Sequence, residues 1–239
     1  MKSISRFAFI FALAAAGMAP LLSCSSSMAA EVIKVERPVG DFQQLEVMDT
    51  INVYLTQGPA KPAVIEAEAD IASRVELNNS GSVLIVRLKR NSFFSSHHDV
   101  NVYLTAPDVN GLSIFGSGDL KLVGKLSSKD GIKISVSGSG SVNGELNTPS
   151  VAASIAGSGD IRVKGKTRDL RISIAGSGDY DGFGLMAENT SVSIVGSGDA
   201  HVYASKNLNV STAGSGDVSY SGDPQVRSSI MGSGSVKKR

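Results

Sequence analysis

From residue 109 onward, apolar and polar side chains alternate in short runs, and every run breaks at the tripeptide Gly-Ser-Gly. The triplets begin at Gly116, Gly138, Gly157, Gly176, Gly196, Gly214 and Gly232, at intervals of 22, 19, 19, 20, 18 and 18 residues. Two positions before each first Gly stand Ile114, Val136, Ile155, Ile174, Ile194, Thr212 and Ile230, and four before stand Leu112, Ile134, Ala153, Ile172, Val192, Val210 and Ser228. Ser, Lys, Arg and Asn fill most positions between them, so each run reads as a half-buried strand with a period of two. After the corner the alternation resumes. Leu120, Val142, Ile161, Tyr180, Ala200, Val218 and Val236 are predicted to point inward. Lys121, Asn143, Arg162, Asp181, His201, Ser219 and Lys237 are predicted to point outward.

Each unit is therefore strand, Gly-Ser-Gly corner, strand and a short variable loop. About 19 residues leave no room for a strand-helix-strand crossover with a useful helix. β-Branched residues and recurrent Gly also disfavour helix. Self-similarity at this period predicts a stacked repeat in which each unit covers its neighbour's apolar face. The economical solution is all-β: a right-handed parallel β-helix of about seven coils, spanning roughly 34 Å at strand spacing. The Ile ladder fills its interior, and Gly supplies corners with positive φ.

Residues 31–108 differ in texture and hold three of the chain's 26 Gly. Strand-like runs occur at 32–36, 42–47, 51–56, 63–67, 83–88 and 100–105. The pentapeptide Asn-Val-Tyr-Leu-Thr appears at 52–56 and again at 101–105, which suggests two strands in equivalent environments. Residues 39–108 are predicted to be an irregular β cap that begins the solenoid and covers the first coil. The coils then run over 109–236, and the basic tail 237–239 discourages edge-to-edge strand addition.

Residues 1–23 read as a secretory signal, with Lys2 and Arg6 ahead of an apolar stretch from Phe7 to Leu22. Leu21-Leu22-Ser23-Cys24 resembles a bacterial lipobox, which would make Cys24 the lipidated N-terminus and 24–38 a tether. The competing cut follows Ser27-Met28-Ala29 and would discard Cys24, the chain's single Cys. Either way the mature fold has no disulfide. Without Lys2 and Arg6 the 23 basic residues fall to 21, against 22 acidic. That balance offers no electrostatic case for nucleic acid. No further run is long and apolar enough for a spanning helix, which leaves the membrane to a lipid anchor. Trp is absent and aromatics make up 5% of the chain, which weakens the case for the stacking platforms of many sugar-binding proteins.

Candidate chemistry concentrates in the repeats. Asp160, Asp179, Asp199 and Asp217, with Asp119 earlier, form a ladder of carboxylates. At strand spacing, neighbours would repel by about 1 kcal/mol in water and several-fold more at lower dielectric. Bound Ca²⁺ could offset this. The preferred reading is solvent plus hydrogen bonds to corner N–H groups, an Asx-type cap. Seven equivalent corner Ser, from Ser117 on, are structural, because a nucleophile needs one Ser beside one base. His97-His98 follow Phe93-Phe94 in the segment 91–99. Adjacent His need a third ligand to hold a metal. An exposed Phe pair would mark a partner contact, whereas packing onto the cap is the plainer reading. Arg162, Asp181 and His201, near Asp179, are the one mixed constellation, read as surface charges and a possible partner contact. Paired carboxylates of the glycosidase kind are not evident.

The lipobox-type signal, Ile-Asn-Val-Tyr-Leu-Thr, the bridge Leu-Ser-Ile-Phe-Gly-Ser-Gly-Asp at 112–119 and the recurrent Gly-Ser-Gly-Asp together resemble the putative auto-transporter adhesin, head GIN domain family. The resemblance covers about 40–236 and implies an exported Bacteroidetes-type protein with a β-helix fold and an adhesive or surface-binding role. It brings no catalytic, cofactor or ligand residues. The expected function is non-catalytic binding of a protein or glycan at the cell envelope by an outer-membrane lipoprotein. A periplasm-facing structural or regulatory lipoprotein is the first alternative, and a polysaccharide-active enzyme is the second. After Cys24 comes Ser25-Ser26-Ser27-Met28, without the acidic run that resembles a surface-export tag, which tilts the expected facing toward the periplasm.

Overall fold

The structure, a computed structural model, describes residues 31–89 and 99–239. Each repeat folds as its alternation predicts. In one coil, Ser150–Gly157 leads through Ser158-Gly159 into Asp160–Lys166, and a short loop then delivers the chain to Asp169–Gly176 of the next coil. Strands after the corner stack into a twelve-stranded first sheet, and strands before it stack into a ten-stranded second sheet. Register is kept at the corners, where Gly116, Gly138, Gly157, Gly176, Gly196, Gly214 and Gly232 pair in sequence. The result is a β-solenoid whose Leu, Ile and Val ladders face inward. Leu112, Ile134, Ile161 and Leu208, for example, are fully buried. Tyr180 takes an interior position between Ile161 and Ala200, and Gly182 leaves space for its ring, since a Cβ there would lie 2.5 Å from Cε1.

Two glycines per corner are imposed by the approach of neighbouring coils. The first adopts φ between +124 and +141, a region forbidden to most side chains; Gly176, for instance, has φ +132. A Cβ on Gly176 would lie 2.3 Å from the carbonyl oxygen of Gly157. A Cβ on the third residue, Gly178, would lie 2.1 Å from the Gly159 oxygen and 2.8 Å from Cγ2 of Ile155. The central Ser projects to solvent, while its N–H donates to the previous coil's first Gly, as Ser177 does to Gly157 at 2.9 Å.

The Asp ladder is tied along the solenoid axis. The Asp179 N–H donates to Oδ1 of Asp160 (3.2 Å), Asp199 to Asp179 (2.9 Å), Asp217 to Asp199 (2.8 Å) and Ser235 to Asp217 (2.7 Å). The expected caps to corner N–H groups are therefore present, but each carboxylate serves the next coil and not its own turn. Charge-assisted bonds of this kind offset the repulsion between stacked carboxylates. Asn52 opens the ladder by accepting from the Asp119 N–H (3.3 Å).

The N-terminal third contains two further coils, placed out of chain order. Gln44–Asp49 and Ile51–Gln57 join the second and first sheets in parallel with Gly111–Gly116 and Asp119–Ser127. Their corner is a disguised repeat: Asp49 pairs with Gly116 and holds φ +65 without being Gly. Val83–Leu88 and Val100–Ala106 stack outside that coil. The duplicated pentapeptides thereby become adjacent parallel strands, paired residue for residue from Asn52 with Asn101 to Thr56 with Thr105. Antiparallel strands Val32–Arg37, Ala63–Glu68 and Val75–Ser80, with the short helix Ala69–Ala72, cover this end. The Arg37 guanidinium donates to the carbonyls of Val75 and Ala72, binding the cover together. Neither the helix nor Val75–Ser80 was legible in the alternation, because Asn78, Asn79 and Ser80 are exposed and polar. At the far end, Val236–Lys238 is itself a strand. Lys238 reaches Asp223 (3.0 Å), so the basic tail is folded onto the last coils.

Replacing Gly176 by Ala should cost about 3 kcal/mol or more in chemical denaturation, whereas Ser177→Ala should change stability by less than about 0.5 kcal/mol. Equal effects would contradict the corner argument. The Tyr180 hydroxyl is fully buried without a partner, and burial drives its pKa far up. Tyr180→Phe should therefore stabilise the fold by about 1 kcal/mol, and a lowered Tm would refute this. The Ser235 hydroxyl, followed by its N–H, holds the Asp217 carboxyl below the ordinary carboxylate value. A depressed folded pKa gives stability that is present above about pH 4 and is lost as pH falls through it. Asp217→Asn should accordingly flatten the fall of Tm between pH 5 and pH 2.5; an unchanged slope would remove Asp217 from the acid response.

Candidate binding face

The outside of the first sheet carries the side chains that the sequence singled out. Arg162, Asp181 and His201 are register partners on three adjacent strands, so the expected constellation does assemble. Its members do not pair with one another, however. Arg162 bonds Asp160 on its own strand (2.7 Å), while Oδ1 of Asp181 accepts the Phe183 N–H (3.4 Å). His201 lies flat against Phe183, with ring centroids 5.0 Å apart and planes 5° apart. Arg239 sits over the same Phe ring at 5.4 Å.

Phe183 was missed by the sequence reading, yet a signal was available. Its repeat is 20 residues long, one more than the two before it, and Gly182 and Gly184 flank the Phe. The extra residue is absorbed here: Ile161 pairs with Tyr180, but Gly165 pairs with Leu185, one step out of phase. A second irregularity lies three strands away. Lys121 pairs with Asn143, but Lys125 pairs with Glu145, so two extra residues bulge around Val123 and Gly124. Gly124 has φ +85, and Val123 is 47% exposed. Bulges re-aim side chains and end regular pairing.

Between the bulges lies an open groove of about 470 Å³, lined in part by Lys121, Asn143, Glu145, Arg162, Lys164 and Asp181. Glu145 is shared between Lys125 (3.5 Å) and Lys164 (3.8 Å), so one carboxylate faces two ammonium groups. Lys121 makes no ion pair among the described residues. Toward the N-terminal end of the face, Tyr54 and Tyr103 stack with centroids 4.9 Å apart. The Tyr103 hydroxyl donates to Glu66 (2.8 Å); that bond, then burial, pushes its pKa up to about 12.

The second sheet keeps strict register on its exterior. Ser113, Ser135, Ser154, Ser173, Ser193 and Ser211 form a continuous register row. The row beside it holds Ala156, Ala175 and Ala213 together with Phe115, Val195 and Met231, which are exposed. A groove of about 520 Å³ follows the loops at the other edge, past Lys166, Arg168, Met186 and Tyr203. Arg168 is paired with Asp169 (2.8 Å), and its guanidinium, then the Asn189 amide, hold the Asp169 carboxyl low; Lys206 is paired with Glu188 (2.6 Å).

Asp160, Asp179, Asp199 and Asp217 each give Oδ1 to an N–H of the following coil, as described above. No group of three or more His, Cys, Asp or Glu is gathered as a metal site among the described residues. Nor is any helix among them long and apolar enough to cross a membrane. Cys24, Phe93, Phe94, His97 and His98 lie outside the described residues.

Solved structures share this architecture. A putative adhesin from Bacteroides fragilis has a TM-score of 0.83 at 22% identity, covering 87% of this chain and 97% of its own. A putative lipid binding protein from Parabacteroides distasonis scores 0.74 at 21% identity, covering 88% and 98%. A putative adhesin from Parabacteroides merdae scores 0.74 at 20% identity, covering 88% and 97%. At such identities the likeness shows the fold alone. No curated protein matched the chain. The family model described as putative auto-transporter adhesin, head GIN domain, matches residues 41–224, and the chain belongs to that family.

Proposed function

We propose that this protein is a non-catalytic binding protein of the cell envelope, exported and held there by a lipid on Cys24, and that it meets its ligand on the outside of the first sheet. The observation that carries the reading is the placement of the irregularities. Both register shifts within the repeats fall in the first sheet and frame one groove, while the second sheet keeps its register throughout the repeat. A solenoid needs no bulges to stack, so extra residues that leave Val123 exposed and bring a half-buried Phe183 against His201 and Arg239 serve the outer face. Family membership and the description of neighbours as adhesins or a lipid binding protein support binding over turnover. The coil interior is filled by buried Ile, Leu and Val, so a lipid ligand too would have to lie on the outside.

Asn143 stands at the middle of the proposed face and Ser173 at the middle of the opposite one, both pointing outward. The test is cosedimentation of the purified protein with envelope fragments of the producing bacterium. Asn143→Trp should weaken association about tenfold, and Ser173→Trp should leave it unchanged, with Tm verifying both folds. Loss with Ser173→Trp and retention with Asn143→Trp would move the site to the second sheet.

A further inference from the structure

The two ends of the solenoid are finished differently. At the N-terminal end, Val32–Arg37, Ala63–Glu68 and Val75–Ser80 lie over the first coils, and the Arg37 guanidinium ties that cover together. At the other end, Gln225–Gly232 is an edge strand of the second sheet, and all eight of its residues are exposed. Val226, Ser228 and Ile230 carry the buried ladder of Leu208, Val210 and Thr212 out into solvent. The Gln225 N–H donates to Lys206 on the inner side. By strand alternation, the N–H and C=O groups of Val226, Ser228 and Ile230 then point to the open side. No strand among the described residues pairs with them there.

The first sheet's edge at this end is guarded. Val236–Lys238 is short, and Lys238 stands in the interior row of Val202 and Tyr220, reaching Asp223 at 3.0 Å. A complete further coil would bury that ammonium, and a twofold end-to-end pair would set Lys237, Lys238 and Arg239 against their own copies. The second sheet's edge has no charge in its interior row, so this end admits a single added strand and not another solenoid. Hydrocarbon would leave the edge N–H and C=O groups unsatisfied, which disfavours a lipid surface. Charge selects the strand. From Val218 onward, Arg227, Lys237, Lys238 and Arg239 face one acidic residue, Asp223. Arg227, in the middle of the edge strand, and Lys237 make no ion pair among the described residues.

We infer that Gln225–Gly232 is a strand-addition site for an extended acidic segment of a partner protein, in which apolar residues alternate with carboxylates. Main-chain pairing to Val226, Ser228 and Ile230 supplies affinity. The segment's apolar side chains cover Val226 and Ile230, and a carboxylate stands over Arg227 at a strand spacing of about 4.8 Å. This surface is separate from the first-sheet face and does not depend on it.

The test is fluorescence anisotropy of a labelled peptide, Val-Glu-Val-Glu-Val-Glu-Val-Glu, titrated with the whole protein. The peptide should bind, and its twin with Lys for Glu should bind at least about tenfold more weakly. N-methylation of alternate amides blocks one edge of the peptide and leaves its charge intact. One of the two methylation phases should abolish binding, and the other should retain it. Ser228→Pro removes an N–H on the open side only and should abolish binding, with Tm verifying the fold. Arg227→Glu should weaken the acidic peptide about tenfold, and Asn143→Trp, on the first-sheet face, should leave it unchanged. Absence of binding, or tolerance of both methylation phases, would overturn strand addition. Equal binding of the Glu and Lys peptides would overturn the acidic assignment. Self-association that Ser228→Pro abolishes, in place of peptide binding, would give the edge to a second copy. Binding of phosphatidylglycerol vesicles in place of the peptide would give this end to a lipid surface.

Discussion

Backbone proximity at the corners is the constraint on which the molecule depends. Successive coils meet with the carbonyl of one first Gly directly beneath the Cα of the next, so closely that a methyl group there would overlap the oxygen. This fixes Gly at two of three corner positions and brings the Ser N–H onto the same carbonyl. It sets every residue's register from the corner outward. Once Gly157 lies over Gly138 and under Gly176, Ile155 must stack between Val136 and Ile174, and the apolar interior follows. The Asp ladder belongs to the same arrangement, because each carboxylate accepts a backbone N–H that the next coil would otherwise leave to solvent.

So strict a repeat leaves little freedom for function, and what freedom exists lies where the repeat is lengthened. Extra residues cannot be absorbed at a corner, where backbone meets backbone, or in the interior, where ladders interlock. They emerge on the outside of the first sheet. There Gly124, and Gly182 with Gly184, allow the chain to depart from the pleat. Val123 is left exposed there, and Phe183 lies half-buried against His201 and Arg239. The second sheet's outer rows carry no comparable register shift.

The repeat region was legible because a period of two within a period near 19 states both the strand and its partner. Inward positions and the corner role of Gly follow from that, while the verbatim duplication of Asn-Val-Tyr-Leu-Thr marked two strands in equivalent environments. The N-terminal third hid its relation to the repeat for an identifiable reason. Its corner is Asp49-Thr50-Ile51-Asn52, in which Asp replaces the first Gly and Ile the third. At the end of the repeat series Asp49 can take a positive φ, and no preceding Gly-Ser-Gly coil constrains it as Gly116 is constrained. Val75–Ser80 escaped because it is held by antiparallel pairing to Val83–Leu88 and not by an alternating pattern of its own.

The sequence by itself determined the strand-corner-strand unit, the inward and outward assignment of nearly every residue in the coils, and the identity of the charged row Lys121, Arg162, Asp181 and His201. These are local consequences of periodicity and of where Gly must stand. Only the tertiary structure decided which charges pair, since Arg162 chose Asp160 over Asp181 through the geometry of a single strand face. The order of coils in space was likewise hidden. Val83–Leu88 and Val100–Ala106 lie outside a coil formed earlier in the chain, and strand pairing across that distance depends on backbone contacts that no side-chain pattern encodes.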